Sequence, residues 1–165
     1  MHYQPRTFDP MPVEIERKFL VLNDDWRQAA HGAQHLRQGY LNDETRCSVR
    51  IRTGGGRAWL NIKSATIGAQ RQEFEYEIPL ADAHRMLDTL SRKPLIEKVR
   101  HLVDVGRHTW EIDVFEGDNA GLIVAEIELE HPDEAFEKPA WLGEEITHDV
   151  RYYNTSLSRH PYKDW

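Results

Sequence analysis

Glu14, Glu16 and Lys18 occupy alternate positions of the run VEIERKFLV, residues 13–21. In an extended strand they project to one side, while Val13, Ile15, Phe19 and Val21 share the other with Arg17. Two such carboxylates stand about 7 Å apart and, at an effective dielectric of about 20, repel by about 2 kcal/mol. The same alternation recurs. Arg50 and Arg52 lie in CSVRIR, Lys63 in AWLNIKS, Arg71, Glu73, Glu75 and Glu77 in RQEFEYEIP, Lys98 and Arg100 in EKVR, Glu111 and Asp113 in EIDV, and Glu126, Glu128 and Glu130 in AEIELE. Acids cluster with acids and bases with bases. Paired guanidinium and ammonium groups suit the oxygens of a polyanion. Paired carboxylates suit hard divalent cations, Mg2+ or Mn2+, which neutralise the same anion. One strand of this kind is explained by the wet face of an open antiparallel sheet. Seven of them with segregated charges favour a shared polar lumen.

The elements that must position these residues follow from the period-2 runs and the turn signals between them. Strands are predicted over 13–21, 36–41, 46–53, 57–64, 71–80, 97–105, 108–115 and 122–130. The spacing of Met86, Leu87 and Leu90 predicts a helix over 81–92. A shorter helix is expected from Asn23 or Asp24 to about His35, and another around Asp133–Glu137. TGGGR at 53–57 lies between two strand patterns and reads as a hairpin turn rather than a phosphate loop. Residues 1–12 read as an irregular arm and 13–165 as one domain. The fold expected is α+β, a closed, eight-stranded, mainly antiparallel β-barrel with a charged lumen and helices packed on its outward apolar faces.

Lys and Arg total 21 of the 165 residues against 28 Asp and Glu, a formal charge of −7. An acidic chain is a poor partner for nucleic acid, though a local basic pocket still suits a small phosphate ligand. Cys47 is the only cysteine, which excludes an intrachain disulfide and a thiolate zinc cluster and points to the cytoplasm. There is no apolar run of about 18 residues and no signal-like stretch near the N-terminus, so no membrane partner is expected. The nine histidines show no metal-ligand spacing such as HExxH. The protein is expected as a monomer or homodimer.

The order of these motifs resembles the CYTH superfamily, the triphosphate tunnel metalloenzymes. EIERKFL carries the Glu-x-Glu-x-Lys signature; RQGYL (Tyr40), VRIR, NIKS, RQEFEYEIPL, EKVR, EIDVFEG, GLIVAEIEL and WLGEEITHDVRYYN follow in the family's order, over about residues 13–158. The likeness is to short bacterial members that hydrolyse inorganic tripolyphosphate. It implies that Arg50, Arg52, Lys63, Lys98 and Arg100 grip the phosphate chain while Arg71 orients nearby carboxylates. It assigns Glu14, Glu16, Asp113, Glu126 and Glu128 to one or two Mg2+ or Mn2+ ions, with Glu75 and Glu77 as water or metal partners. A metal-polarised water then attacks the terminal phosphorus in line with the departing diphosphate. Lys18 with Tyr40 is expected to move protons, Lys18 as a base if desolvated among cations. Asn61 and Tyr153 depart from the family's usual residues and bear on substrate preference. Class IV adenylate cyclase and thiamine triphosphatase are rival readings within the superfamily, and a non-catalytic polyphosphate-binding protein is the rival outside it.

Overall fold

The computed structural model describes residues 13–165; the arm expected over 1–12 lies outside them. Its strands are β1 (Val13–Val21), β2 (Ala30–Tyr40), β3 (Cys47–Gly54), β4 (Arg57–Ser64), β5 (Gln70–Ile78), β6 (Ile96–Val105), β7 (His108–Phe115), β8 (Ile123–Glu128) and β9 (Leu142–Glu145). They follow the order β5-β4-β3-β2-β6-β7-β8-β1-β9, and a β5–β1 pairing closes the first eight into a barrel. Every pairing is antiparallel. The TGGGR segment is the β3–β4 hairpin, with Gly55 and Gly56 at φ 58° and 76°, the left-handed pair such a two-residue turn requires.

Closure is partial at the seam. β5 meets β1 only over Val13–Ile15, whereas β9 meets β1 at Phe19 and Val21. The chain after β9 fills the gap. Ile146 N donates to Lys18 O at 2.8 Å, Lys18 N donates to Thr147 Oγ1 at 3.0 Å, and the Tyr153 hydroxyl accepts from Gly68 N and donates to Thr147 O.

The period-2 pattern separates two environments. Outward side chains of β1, β7 and β8 bury Ile15, Phe19, Trp110, Ile112, Ala125 and Ile127 with Trp26 and Trp141. On β3 and β4 the outward Ile51 and Ala58 are covered by α1 (Leu80–Thr89) through Ala83 and Leu87. On the lumen side, Leu20, Ile96, Phe115 and Val124 continue the faces of Lys18, Lys98, Asp113 and Glu126. They join Leu122, Ile146 and Leu157, the last from α2 (Asn154–Leu157), in an apolar cluster that fills that end of the barrel.

Two helix expectations are corrected. The helix from residue 23 or 24 to His35 is only a 3-10 turn, Asp25–Ala29; Ala30 onwards is strand. Pairing of β2 with β6 from Ala30 to Gln38 overrides local helix propensity, which Gly32 already weakens. No helix forms at Asp133–Glu137. That run lies between Pro132 and Pro139, too short for a stable helix, and Phe136 instead packs edge-on against Trp110 and Phe19. Irregular chain therefore covers this part of the barrel where a helix was expected. The ninth strand, Leu142–Glu145, lacks a sequence run long enough to announce it; its Glu145 pairs with Arg17, whose guanidinium lies over Phe136.

Trp110 touches Phe19, Phe136 and Trp141 at ring-centroid distances of 5.6, 5.7 and 5.6 Å and is 0% exposed. Trp110→Ala is expected to cost about 3–5 kcal/mol in urea unfolding. Trp110→Phe should cost clearly less, because the indole Nε1 makes no hydrogen bond. A Trp110→Ala loss under about 1 kcal/mol would contradict this core.

Candidate active site in the barrel lumen

Strand register assembles the charged faces into one cavity of about 390 Å³. Glu16 stands opposite Glu128 and Lys18 opposite Glu126, which in turn faces Glu111. Arg50 lies between Tyr40 and Asn61, and Arg52 between Gln38 and Trp59. Arg71 faces Glu14 across the seam. The lining holds seven cations (Lys18, Arg50, Arg52, Lys63, Arg71, Lys98, Arg100) and seven carboxylates (Glu14, Glu16, Glu73, Glu75, Glu111, Glu126, Glu128).

Most of these charges neutralise one another. Lys18 is held between Glu16 and Glu126. Lys63 reaches Glu14 at 2.8 Å and Glu73 at 3.5 Å, and Arg52 reaches Glu75 at 3.1 Å. Arg100 bridges Asp113, Glu126 and Glu111. Burial works against every charge here. For Glu126 it is outweighed by Lys18, Arg100 and Lys98, which hold that carboxyl well below its ordinary value. For Glu16 it is outweighed by Lys18 and Lys63.

Two imbalances remain. On the cationic wall, Arg50 makes no ion pair among the described residues, and the buried Nε atoms of Arg50, Arg52 and Arg71 have no acceptor. The Gln38 amide Nε2 is likewise buried and unpartnered, in a residue 1% exposed. Unpaired buried donors are costly, and phosphate oxygens would satisfy them. On the acidic side, burial, then Glu16, push Glu14 up to about 7 despite its bond to Lys63. Burial, then Glu16 and Glu73, also raise Glu128. This part of the lumen carries more negative charge than its side chains neutralise.

That excess is the test of fit for a metal. The donors are all oxygens, the set a hard Mg2+ or Mn2+ takes, and Glu14, Glu16, Glu73 and Glu128 share the crowded region. No three lumen carboxylates among the described residues hold ligand oxygens within 4.8 Å of one another; most are turned to lysines and arginines. The residues fit a divalent ion on condition that the ammonium groups yield some of these oxygens to it.

Of the residues expected from sequence, Glu14, Glu16, Lys18, Tyr40, Arg50, Arg52, Lys63, Arg71, Glu75, Lys98, Arg100, Glu126 and Glu128 line the cavity together. Two of the expected metal residues do not. Glu77 lies outside it, bound to Arg57 through both oxygens at 2.9 and 2.5 Å. Asp113 is fully buried behind the lining, where both oxygens are taken by Arg100 and Lys98. It holds cations rather than offering an oxygen to the lumen. For Lys18, expected as a base, burial lowers the pKa, but Glu126 and Glu16 outweigh this and hold the ammonium charged. Its neighbours are carboxylates, not the cations that role requires.

Gln38, Ser48, Glu73, Glu111, Tyr153, Asn154 and Thr155 also line the cavity. Glu73 and Glu111 share the parity of the charge ladder, and Gln38 that of Tyr40, so these had a sequence signal. Tyr153 and Asn154 had only the motif WLGEEITHDVRYYN as a signal and Thr155 had none, since they reach the lumen from the chain that fills the seam.

The CYTH domain family matches residues 12–162. The chain is 43% identical over 155 residues to an inorganic triphosphatase of Acetivibrio thermocellus, covering 94% of this chain and 99% of that protein. It is 36% identical over 150 residues to an inorganic triphosphatase of Nitrosomonas europaea, covering 88% and 97%. A crystal structure of an inorganic triphosphatase superposes with a TM-score of 0.63 at 35% identity, over 88% of this chain and 93% of that one. A fold likeness alone, at 16% identity and a TM-score of 0.51, extends to an adenylyl cyclase-like protein of Hippeastrum, over 74% of this chain and 81% of that one. With motif order, barrel closure and lumen chemistry in agreement, the chain belongs to the CYTH family.

Proposed function

We propose that this chain is a divalent-metal-dependent hydrolase, acting in the cytoplasm, that cleaves inorganic tripolyphosphate to pyrophosphate and orthophosphate. One observation carries the reading: buried cationic and amide donors without acceptors share a single cavity with carboxylates that lack sufficient counter-charge. A phosphate chain and its metal supply what each side lacks. The names of the relatives identify the substrate class.

Arg50, with its Nε unpartnered, is the anchor of the phosphate chain, and Gln38 adds a neutral donor beside it. Arg52, Lys63, Lys98 and Arg100 surround the remaining oxygens, and Asp113 fixes the last two in place. Glu14, Glu16 and Glu128, joined by Glu73, would hold Mg2+ or Mn2+, with Glu126 and Glu75 beside them. The bound ion supplies polarisation of the attacking water and neutralisation of the phosphate charge. Lys18, kept charged, orients Glu16 and Glu126. Tyr40, opposite Arg50 in the strand register, would exchange a proton with a phosphate oxygen through its hydroxyl. Supplying tripolyphosphate or ATP with Mg2+ or Mn2+ and measuring orthophosphate, pyrophosphate and cyclic AMP tests the reading. Cyclic AMP as the main product, with tripolyphosphate untouched, would overturn it.

Arg50→Ala removes a nearly buried cation aimed at a bound anion, a change that costs about 2–5 kcal/mol at comparable charge contacts. Its kcat/KM on tripolyphosphate should fall by about 30-fold to several thousand-fold. Arg57→Ala, outside the cavity, should stay within about threefold of wild type because exposed ion pairs contribute little. Equal losses in the two variants would remove Arg50 from the anchor role.

Glu14 titrates at about 7 when folded against 4.5 as its ordinary value. Between those values the folded state binds the extra proton, so this group's contribution is lost as pH rises through the window. Without metal, wild type should match Glu14→Gln near pH 4 and become the less stable of the two above pH 7, by a few kcal/mol at most. Saturating Mg2+ should reverse that order, because the ion requires the carboxylate. Denaturant melts at both ends of the window check this; parallel pH profiles would take Glu14 out of the crowded acids.

A further inference from the structure

We propose a metal site separate from the lumen, on the outer wall of the barrel, where His35, Glu97 and Glu116 bind a borderline divalent transition ion, Zn2+ foremost. One ligand atom from each of the three side chains lies within 4.8 Å of the others. His35 comes from β2, Glu97 from β6, and Glu116 follows β7, so the group is distant in sequence and gathered only by strand pairing. The backbone fixes it. β2 and β6 are paired through His35–Val99 and Arg37–Glu97, and Glu116 N donates to Glu97 O at 2.9 Å.

The side chains retain free coordinating capacity. His35 Nε2 stands 3.0 Å from Glu116 Oε2, a position from which both turn to a shared ion. Arg37 Nε holds Oε1 of Glu97 at 3.1 Å, and the second oxygen has no bond partner among the described residues. His35 and Glu116 side chains are 48% and 45% exposed, which admits an ion together with its water. Three protein ligands, one a ring nitrogen, plus water make a four-coordinate zinc arrangement. The order of affinities for such N/O sets favours Zn2+ and its late first-row neighbours. Mg2+ prefers oxygen ligands and retains its water, so it has little claim on this site. The lumen lining contains no histidine, and the two sites therefore differ in chemistry as well as place.

The site lies back to back with the cationic wall. Glu97 precedes Lys98 and Glu116 follows Phe115; in the lumen the Lys98 ammonium lies 5.3 Å from the Phe115 ring centre. An ion on the outside would tie β6, which presents Lys98 and Arg100 inside, to β2 and to the end of β7.

The test is calorimetric titration of Zn2+ into wild type, His35→Ala, Glu116→Gln and a Glu16→Gln/Glu128→Gln double variant, with the His35 imidazole followed by 1H–15N NMR. Wild type should bind about one equivalent more than His35→Ala or Glu116→Gln. The lumen double variant should keep that equivalent, and the His35 ring nitrogens should shift as it fills. Mg2+-supported tripolyphosphate hydrolysis by His35→Ala should remain at the wild-type rate, since His35 is outside the lumen. Equal Zn2+ uptake by wild type and His35→Ala, or a His35 ring that does not respond to Zn2+, would overturn the site.

Discussion

Closure of the sheet is the constraint on which the rest depends. A strand's side chains alternate between two faces, and a closed barrel turns one face of all eight strands towards the same small volume. Charges that would be separately solvated on an open sheet become neighbours. Lys63 on β4 and Glu14 on β1, strands that do not pair with each other, are far apart in sequence yet in direct contact in the lumen. Every subsequent property, from the shifted titrations to the unpartnered donors, follows from charges having little water and one another for company.

Desolvation is expensive, and a buried charge persists only with partners. The lumen meets that condition by pairing its own acids and bases. The pairing is incomplete in a directed way: Arg50 and Gln38 have buried donors without acceptors, and Glu14, despite Lys63, and Glu128 are pushed up by burial and neighbouring carboxylates. On the proposed function, substrate and metal would enter by exchange of partners, phosphate oxygens replacing carboxylates on the arginines and a divalent ion replacing ammonium groups on the carboxylates. Asp113, buried with both oxygens engaged, holds Lys98 and Arg100 from behind the lining.

The apolar outer face sets the shape of the protein around this lumen. α1 covers β3 and β4, but the wall of β1, β7 and β8 is covered by the irregular chain carrying Phe136 and Trp141. The segment after β9 performs two tasks. It satisfies backbone groups along the β1–β5 seam, and it brings Ile146 and Leu157 onto the apolar end of the lumen with Asn154 and Thr155 on its polar wall.

The sequence by itself determined the eight staves, the hairpin at Gly55–Gly56 and the facing of nearly every lumen charge, because period-2 alternation is a local property of an extended chain. Motif order added the family. Local pattern could not determine which charges meet. Asp113 and Glu126 have the same parity signal, yet register places Asp113 behind the lining and Glu126 in it. Glu75 and Glu77 lie two residues apart on one face, but the strand's end carries Glu77 out to Arg57. The state of Lys18 depended on Glu126, a residue 108 positions away. β2 took residues that read as helix because β6 supplied a partner for them. Tyr153, Asn154 and Thr155 entered the lumen only because barrel closure left a seam to fill. Alternation is written in neighbouring residues; register, depth and charge partners belong to contacts between distant ones, and those existed only once the barrel had closed.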